Sequence, residues 1–166
     1  HEQLIKQTSY GNGILEYQNI AAQVVPKKEM ISFFELAVEQ RPDLWHSWLA
    51  LAKEYKNQDQ TEKASSIIRR AIERFPLVPI LKLESSSIYL ASQDLDCAES
   101  EAKRSLELSP GWVTATLQLS DIYGAQNKKL EQLELLESAL KVNPSQFNLI
   151  GYLADYYLKE KDYKEA

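Results

Sequence analysis

The chain is poor in the residues that carry most protein chemistry. Cys97 is its only cysteine, and His1 and His46 are its only histidines. One cysteine cannot form an intrachain disulfide or a thiolate metal cluster, and two histidines cannot hold a metal without carboxylates. The sequence also lacks HExxH and GxSxG, and "YGNGI" at 10–14 has no strand before it to make a phosphate loop. We therefore expect no catalytic residue, no metal, no cofactor and no enzymatic activity.

Two of these scarce residues have ordinary structural explanations. Cys97 precedes Ala98 in a predicted helix, so we expect a small, half-buried side chain. No histidine is in view to activate Cys97, which argues against a nucleophile. His46 is expected at the surface of a helix.

Long apolar runs and excess positive charge are also absent. No run approaches the roughly 20 residues of a membrane span, and no signal peptide is visible. The net charge is −5, so neither nucleic-acid binding nor membrane insertion is expected. The chain begins at His1 rather than at a methionine, and we expect a piece of a longer protein. The compartment stays open, with the cytoplasm as the default, because an export signal would be lost with a missing N-terminus.

The chain does have a period of 34 residues, and repeats decide fold before any local pattern does. Four of the six prolines obey this period, as do four tyrosines and a series of three alanines and one serine. These are Pro42, Pro76, Pro110 and Pro144; Tyr55, Tyr89, Tyr123 and Tyr157; and Ala37, Ala71, Ser105 and Ala139. Separate series in one phase indicate a repeated structural unit.

Each period contains two amphipathic helices separated by polar residues. In "WHSWLALAKEY", Trp48, Leu51, Ala52 and Tyr55 are spaced i, i+3, i+4 and i+7, which predicts packing rather than a chemical site. The prolines end each unit because proline cannot continue a helix. The pattern predicts helices at 13–24, 27–40, 44–57, 61–75, 78–91, 95–108, 112–125, 129–142 and 146–159.

These positions resemble the tetratricopeptide repeat (TPR) family. Unit two, 45–78, supplies nearly the whole pattern: Trp48, Leu51, Ala52, Tyr55, Ala64, Ile68, Ala71 and Pro76 at places 4, 7, 8, 11, 20, 24, 27 and 32. Unit three, 79–112, keeps the tyrosine, alanine and proline but has Lys82, Ser85 and Ser86 in its first helix. Unit one (11–44), unit four (113–146) and a partial unit five (147–166) complete a single array. The half-a-TPR repeats of RNA-processing factors are an alternative, and the 34-residue spacing favours the ordinary repeat.

The resemblance implies an all-α, right-handed superhelical solenoid with a concave groove lined by the first helix of each pair. At the fifth place of successive units stand Leu15, Leu49, Leu83 and Leu117, followed by Gly151. Two interpretations stay open: these leucines are core between repeats, or they form an apolar floor for a bound segment. The partner-binding groove would comprise Leu15, His46, Leu49, Lys53, Leu83, Glu84, Ser87, Leu117, Gln118, Asp121, Tyr152 and Asp155.

Two specialised ligand sites of the family do not fit this lining. The carboxylate clamp for acidic chaperone C-termini needs Lys and Asn where this chain has leucines and acids. The asparagine ladder of the O-linked N-acetylglucosamine transferase needs Asn at every sixth place, where this chain has Glu16, Ala50, Glu84, Gln118 and Tyr152.

The resemblance therefore implies a non-catalytic scaffold that binds a protein or peptide partner in its groove. We expect that partner to be apolar or amphipathic, with a few basic residues opposite Glu84, Asp121 and Asp155. Self-association through the incomplete C-terminal repeat is a further expectation. The alternative is an accessory arm of a larger enzyme, such as a glycosyltransferase.

Overall fold

The computed structural model describes residues 12–159 of the chain. This range contains nine α-helices and no β-strand. They are α1 Asn12–Ala21, α2 Lys27–Gln40, α3 Trp45–Asn57, α4 Thr61–Arg74, α5 Pro79–Ala91, α6 Leu95–Leu108, α7 Val113–Ala125, α8 Lys129–Val142 and α9 Phe147–Lys159. The predicted all-α repeat solenoid is confirmed.

The largest difference from the predicted boundaries lies at the end of α1. This helix ends at Ala21, three residues before the predicted 24. Pro26 follows shortly after and has a φ of −56°. Proline pushes the residue before it toward extended backbone, so the chain must leave the helix before it reaches Pro26.

A repeated turn joins the two helices of units two, three and four. One residue of each turn has left-handed backbone, and the next N–H donates to the carbonyl of the periodic tyrosine. The left-handed residues are Asp59, Gln93 and Asn127, with φ of 58°, 61° and 59°. The acceptors are Tyr55, Tyr89 and Tyr123, at 2.9, 3.0 and 2.9 Å. This 6→1 hydrogen bond is the Schellman ending of a helix, and it sets the reversal of the chain in each unit.

Small residues allow the helices of a pair to approach closely. Ala52 and Ala64 are fully buried in unit two, on α3 and α4 respectively. Ala71 is also fully buried, as expected for a residue at a close helix contact. A larger side chain at these three positions would have to displace a neighbouring helix.

The first helices of successive units also contact one another. Helix α1 touches α3, α3 touches α5, and α7 touches α9. The first helices therefore form one row and the second helices another, which gives the solenoid two distinct faces.

The apolar core is divided within unit three. One cluster runs from Ile14 in α1 to Ile88 in α5. A second, smaller cluster runs from Ala98 in α6 to Tyr123 in α7. Between them α5 and α6 are in close contact, and Ser105 on α6 donates to the carbonyl of Pro79 at the start of α5 at 3.0 Å.

Two further observations concern expectations from the sequence. Cys97 is exposed rather than half-buried, because the preceding Asp94 caps α6 and leaves Cys97 in the outward-facing first turn. Among the described helices, none combines the length and the apolar character needed to cross a membrane.

Candidate functional site

The predicted groove residues lie on the first helices α1, α3, α5, α7 and α9, and the face that these helices form is called the inner face below. The leucines at the fifth place differ in exposure. Leu49 is 1% exposed and Leu83 is 6% exposed, whereas Leu15 and Leu117 are half-buried. The first two are core residues in this arrangement, which matches the packing interpretation of the leucine series. Among these four leucines, only Leu15 and Leu117 keep part of their surface exposed.

Side chains at the sixth place join adjacent first helices. Glu84 accepts an ion-pair contact from Lys56 on α3, with 2.6 Å between Nζ and Oε1. Gln118 donates through Nε2 to Ser86 Oγ at 2.8 Å and to the Leu83 carbonyl at 3.2 Å. These bonds were not visible in the sequence, because they depend on how far neighbouring units rotate. Glu84 is therefore neutralised within the chain and offers little acidity to a partner.

Three more predicted residues have structural partners or are partly covered. Ser87 accepts a hydrogen bond from Lys56 Nζ at 2.8 Å, and Lys53 is half-buried. His46 is half-buried rather than a surface residue, because its ring stacks on Trp45 with 3.5 Å between centroids. Burial lowers the pKa of His46, which favours the neutral imidazole.

Further inter-unit hydrogen bonds lie at the N-terminal end of this face. Gln18 on α1 is buried and donates through Nε2 to the Ala50 carbonyl at 3.0 Å and to Glu54 Oε2 at 3.1 Å. Because both acceptors belong to α3, this glutamine fixes α1 against the next first helix. The sequence pattern gave no signal for it, since Gln18 occupies a place where the family has a small residue.

A pocket opens at the C-terminal end of the inner face. It has a volume of about 640 Å³, and α7 and α9 carry most of its lining. Asp121, Tyr152 and Asp155 line it, so the structure brings these three predicted residues together. Gly124, Gly151 and two lysines, Lys129 and Lys159, line it as well.

Gly151 is the reason that space exists here. It occupies the fifth place, where the other units have leucine. A Cβ atom built on Gly151 would meet no atom within 4 Å, whereas a Cβ on Gly124 would lie 3.3 Å from Gln132 Nε2. A larger side chain at 151 would therefore enter the pocket without disturbing the helix.

The two carboxylates of this pocket have different environments. Asp155 forms an ion pair with Lys159, with 2.6 Å between Oδ2 and Nζ. Asp121 accepts a hydrogen bond from the Tyr152 hydroxyl at 3.2 Å and forms no ion pair with a described residue. Burial raises the pKa of Asp121, and the bond from Tyr152 opposes that shift. A cationic group entering the pocket would thus gain most from contact with Asp121.

Groups that could hold a metal do not occur within residues 12–159: no cluster of three or more His, Cys, Asp and Glu side chains has a suitable arrangement.

The last helix, α9, has an apolar surface. Phe147 is 86% exposed and Leu158 is 51% exposed. Self-association through this last helix stays a prediction.

Known proteins share this sequence pattern and this fold. The sequence profile of the tetratricopeptide repeat family matches residues 46–76. Tetratricopeptide repeat protein 21B of Xenopus laevis is 24% identical over 155 residues, which cover 93% of the chain. The chain spans about 11% of the length of that relative.

Two solved structures show similar solenoids. A thermophilic TPR protein of Thermus thermophilus superposes with a TM-score of 0.72 at 17% identity, covering 93% of this chain and 85% of its own. The first TPR of Spaghetti (RPAP3), bound to the HSP90 peptide SRMEEVD, gives a TM-score of 0.58 at 19% identity, covering 66% of this chain and 89% of its own. Both likenesses concern the fold.

Proposed function

This chain is a tetratricopeptide repeat protein, and we propose that it is a non-catalytic scaffold whose inner face binds a segment of a partner protein. The pocket around Gly151 is the anchor of that interaction. The observation that carries the proposal is the loss of the fifth-place leucine in unit five. It leaves about 640 Å³ open beside two carboxylates on the face formed by the first helices. Pockets of several hundred Å³ are the size that takes a compact group from a ligand.

The chemistry of the pocket narrows the partner. Leu117, one turn before Asp121 on α7, supplies half-buried apolar surface, and Asp121 supplies a carboxylate with no ion-pair partner among the described residues. An amphipathic segment that places one basic side chain in the pocket and apolar side chains toward Leu117 satisfies both. The acidic rim is therefore concentrated at Asp121, because Glu84 and Asp155 are already paired with lysines.

The Spaghetti complex supports peptide binding by this fold, although its peptide does not fit here. The sequence SRMEEVD contains three acidic residues. At the pocket, Asp121 and Asp155 would repel such a peptide, and the two lysines of the lining, Lys129 and Lys159, both have interactions within the chain. We expect the partner of this chain to carry the opposite charge.

The test uses a substitution that fills the pocket without unfolding the chain. Gly151→Leu places a side chain in open space and removes a helix glycine, so we expect helical content to be retained or raised. Proteins captured from an extract of the source organism are identified by mass spectrometry. The matched control is Ser100→Leu, which adds a leucine to an exposed position on α6, a second helix.

The expected result is loss of the captured partner with Gly151→Leu and normal capture with Ser100→Leu. Asp121→Asn should also weaken capture relative to the wild-type chain, and the difference should be larger at low salt, since this variant removes the carboxylate that faces a basic side chain. Equal capture by the wild-type chain and Gly151→Leu would place the partner on another surface and overturn the proposal.

A further inference from the structure

A second pocket lies on the side of the second helices, away from the proposed groove. Helices α4 and α6 form its walls and α5 forms its floor. Its volume is about 520 Å³. None of the groove residues predicted from the sequence lines it, so it is independent of the site described above.

The departure of unit three from its family pattern produces this pocket. Unit two has Trp48 and Leu51 at places 4 and 7, both buried, and unit four has the buried Leu119 at place 7. Unit three has Lys82 and Ser85 there, and both line the pocket. Ser85 therefore leaves out the volume of a leucine side chain, and Lys82 places an ammonium group where unit two has an indole ring.

Polar groups in the pocket lack hydrogen-bond partners. Glu101 is 9% exposed, and its Oε2 atom is buried and accepts no hydrogen bond in the described structure. Its other oxygen, Oε1, accepts a hydrogen bond from Arg104 Nη1 at 2.6 Å. The nearest cation to Oε2 is Lys82, whose Nζ lies 3.6 Å away and donates no hydrogen bond to a described residue. The buried Glu101 Oε2 and the half-buried Lys82 ammonium thus form a loose ion pair, and neither makes a hydrogen bond within the described residues.

Tyr89 adds another unused donor. Tyr55, at the same place in unit two, donates to Glu35 at 2.5 Å. Tyr89 lines the pocket and donates no hydrogen bond within residues 12–159, because the residue corresponding to Glu35 is Arg69, itself a donor. The pocket therefore offers Lys82 and Tyr89 as donors beside Glu101 Oε2 as an acceptor to an incoming group.

We propose that this pocket binds a small zwitterion with an apolar side chain, an α-amino acid of the leucine class. Its carboxylate accepts from Lys82 and Tyr89, and its ammonium donates to Glu101 Oε2. The two charges of an α-amino acid are held by one carbon atom, so they can face a lysine and a glutamate that are 3.6 Å apart. The apolar side chain lies against Ile72, which lines the pocket and is half-buried, with the buried Ile68 and Ile88 beneath it.

The local charge favours a zwitterion over a simple anion or cation. Arg69, Lys82 and Arg104 are balanced in the lining by Glu62, Glu73 and Glu101. A carboxylate alone would leave Glu101 Oε2 without a donor, and an amine alone would leave Lys82 and Tyr89 without an acceptor. Each would leave a buried or half-buried polar group without a hydrogen-bond partner.

The test compares three probes by NMR titration of the ¹⁵N-labelled 166-residue chain. L-leucine should bind saturably and shift amide signals of α4, α5 and α6. N-acetyl-L-leucine, which lacks the ammonium, and L-leucinamide, which lacks the carboxylate, should each bind at least about tenfold more weakly, the size expected for one charge-assisted hydrogen bond. Equal binding of the three probes, or no saturable binding of leucine, overturns the proposal.

Two variants assign the binding to this pocket. The double variant Lys82→Trp with Ser85→Leu restores the residues of unit two and should abolish leucine binding. Glu101→Gln preserves the shape of the pocket and should weaken leucine about tenfold while N-acetyl-L-leucine binds no worse, because the carboxylate that repels it is gone. Glu134→Gln, the same change at an exposed position of α8, is the control and should leave leucine binding unchanged. Retained leucine binding in Glu101→Gln, or its loss in Glu134→Gln, overturns the assignment.

Discussion

Units two and three occupy the same place in the solenoid and stabilise it by different chemistry. In unit two, Trp48 is buried and Arg70 lies over its ring at 5.0 Å. In unit three the corresponding positions hold Lys82 and Arg104, and Glu101 replaces an apolar residue between them. Unit two thus has an aromatic ring and a cation where unit three has three charged side chains, yet both units form the same helix pair.

The comparison shows which positions determine the backbone. Both units keep the buried small residues at places 8, 20 and 27, and both keep the left-handed turn. At place 27, Ser105 takes the position of Ala71 and donates to the Pro79 carbonyl at 3.0 Å. Places 4 and 7 are free to change chemistry, because the helices are held at their distance by the small residues. The change of chemistry at places 4 and 7 of unit three leaves a divided apolar core and an open pocket.

The largest effect should come from moving the unit-three residue into unit two. Trp48→Lys removes a buried aromatic ring, its hydrogen bond to the Pro42 carbonyl and its contact with Arg70. We expect the free energy of unfolding to fall by about 3–5 kcal/mol. Urea unfolding followed by circular dichroism measures it. The reverse change, Lys82→Trp, should cost less than a quarter of that, and equal losses would show that the two sites are equivalent.

A smaller effect is expected at place 27, where the two units should behave alike. Ala71→Leu overpacks a fully buried contact and should cost about 1–3 kcal/mol, felt mainly in the adjoining units. Ser105→Leu should cost at least as much, since it also removes the bond to Pro79. Hydrogen exchange measured by mass spectrometry locates the loss along the chain. An unchanged denaturation midpoint for Ala71→Leu would mean that the small residues do not set the helix spacing.

Acid should affect unit three more than unit two. Burial raises the pKa of Glu99, but hydrogen bonds from Lys103 and Lys128 outweigh it and bring the pKa to about 2. Because this folded pKa lies below the ordinary 4.5, the ionised Glu99 stabilises the fold above about pH 4.5, and that contribution disappears as the pH falls toward 2.

Glu99→Gln tests this contribution. Its lysine partners are partly exposed, so solvent screening limits the expected loss at pH 7 to about 1 kcal/mol. The variant should lose less stability than the wild type between pH 4.5 and pH 2 in thermal unfolding scans. Ser65→Ala, at the same place in unit two, is the control and should follow the wild-type pH profile. Parallel profiles of stability against pH for the wild type and Glu99→Gln would show that Glu99 makes no such contribution.

The smallest effect concerns the turns. Gln93 has a φ of 61°, which aspartate and asparagine tolerate better than glutamine does. Gln93→Gly should therefore stabilise unit three by about 0.5–1 kcal/mol, after the entropy of the unfolded glycine is subtracted. Asp59→Gly in unit two should give no gain, and thermal unfolding of both variants compares them. A larger gain at Asp59 would contradict this ranking.

The periodic residues determined most of the fold without any structure. Pro42, Pro76 and their successors, together with the tyrosines and alanines, placed the helices to within three residues, because helix ends and close contacts depend on the local chain. The sequence also marked Lys82 and Ser85 as departures from the pattern, although it could not say what those departures produce.

Tertiary structure alone decided the surfaces. Leu49 is covered and Leu117 is partly open although both occupy the fifth place, since exposure depends on the rotation between neighbouring units rather than on position within one unit. The same rotation allows Lys56 to reach Glu84 and Tyr152 to reach Asp121. The two pockets exist because Gly151 and Ser85 leave volume that only the surrounding helices could have filled. A repeat pattern along the sequence contains no information on the distances between those helices.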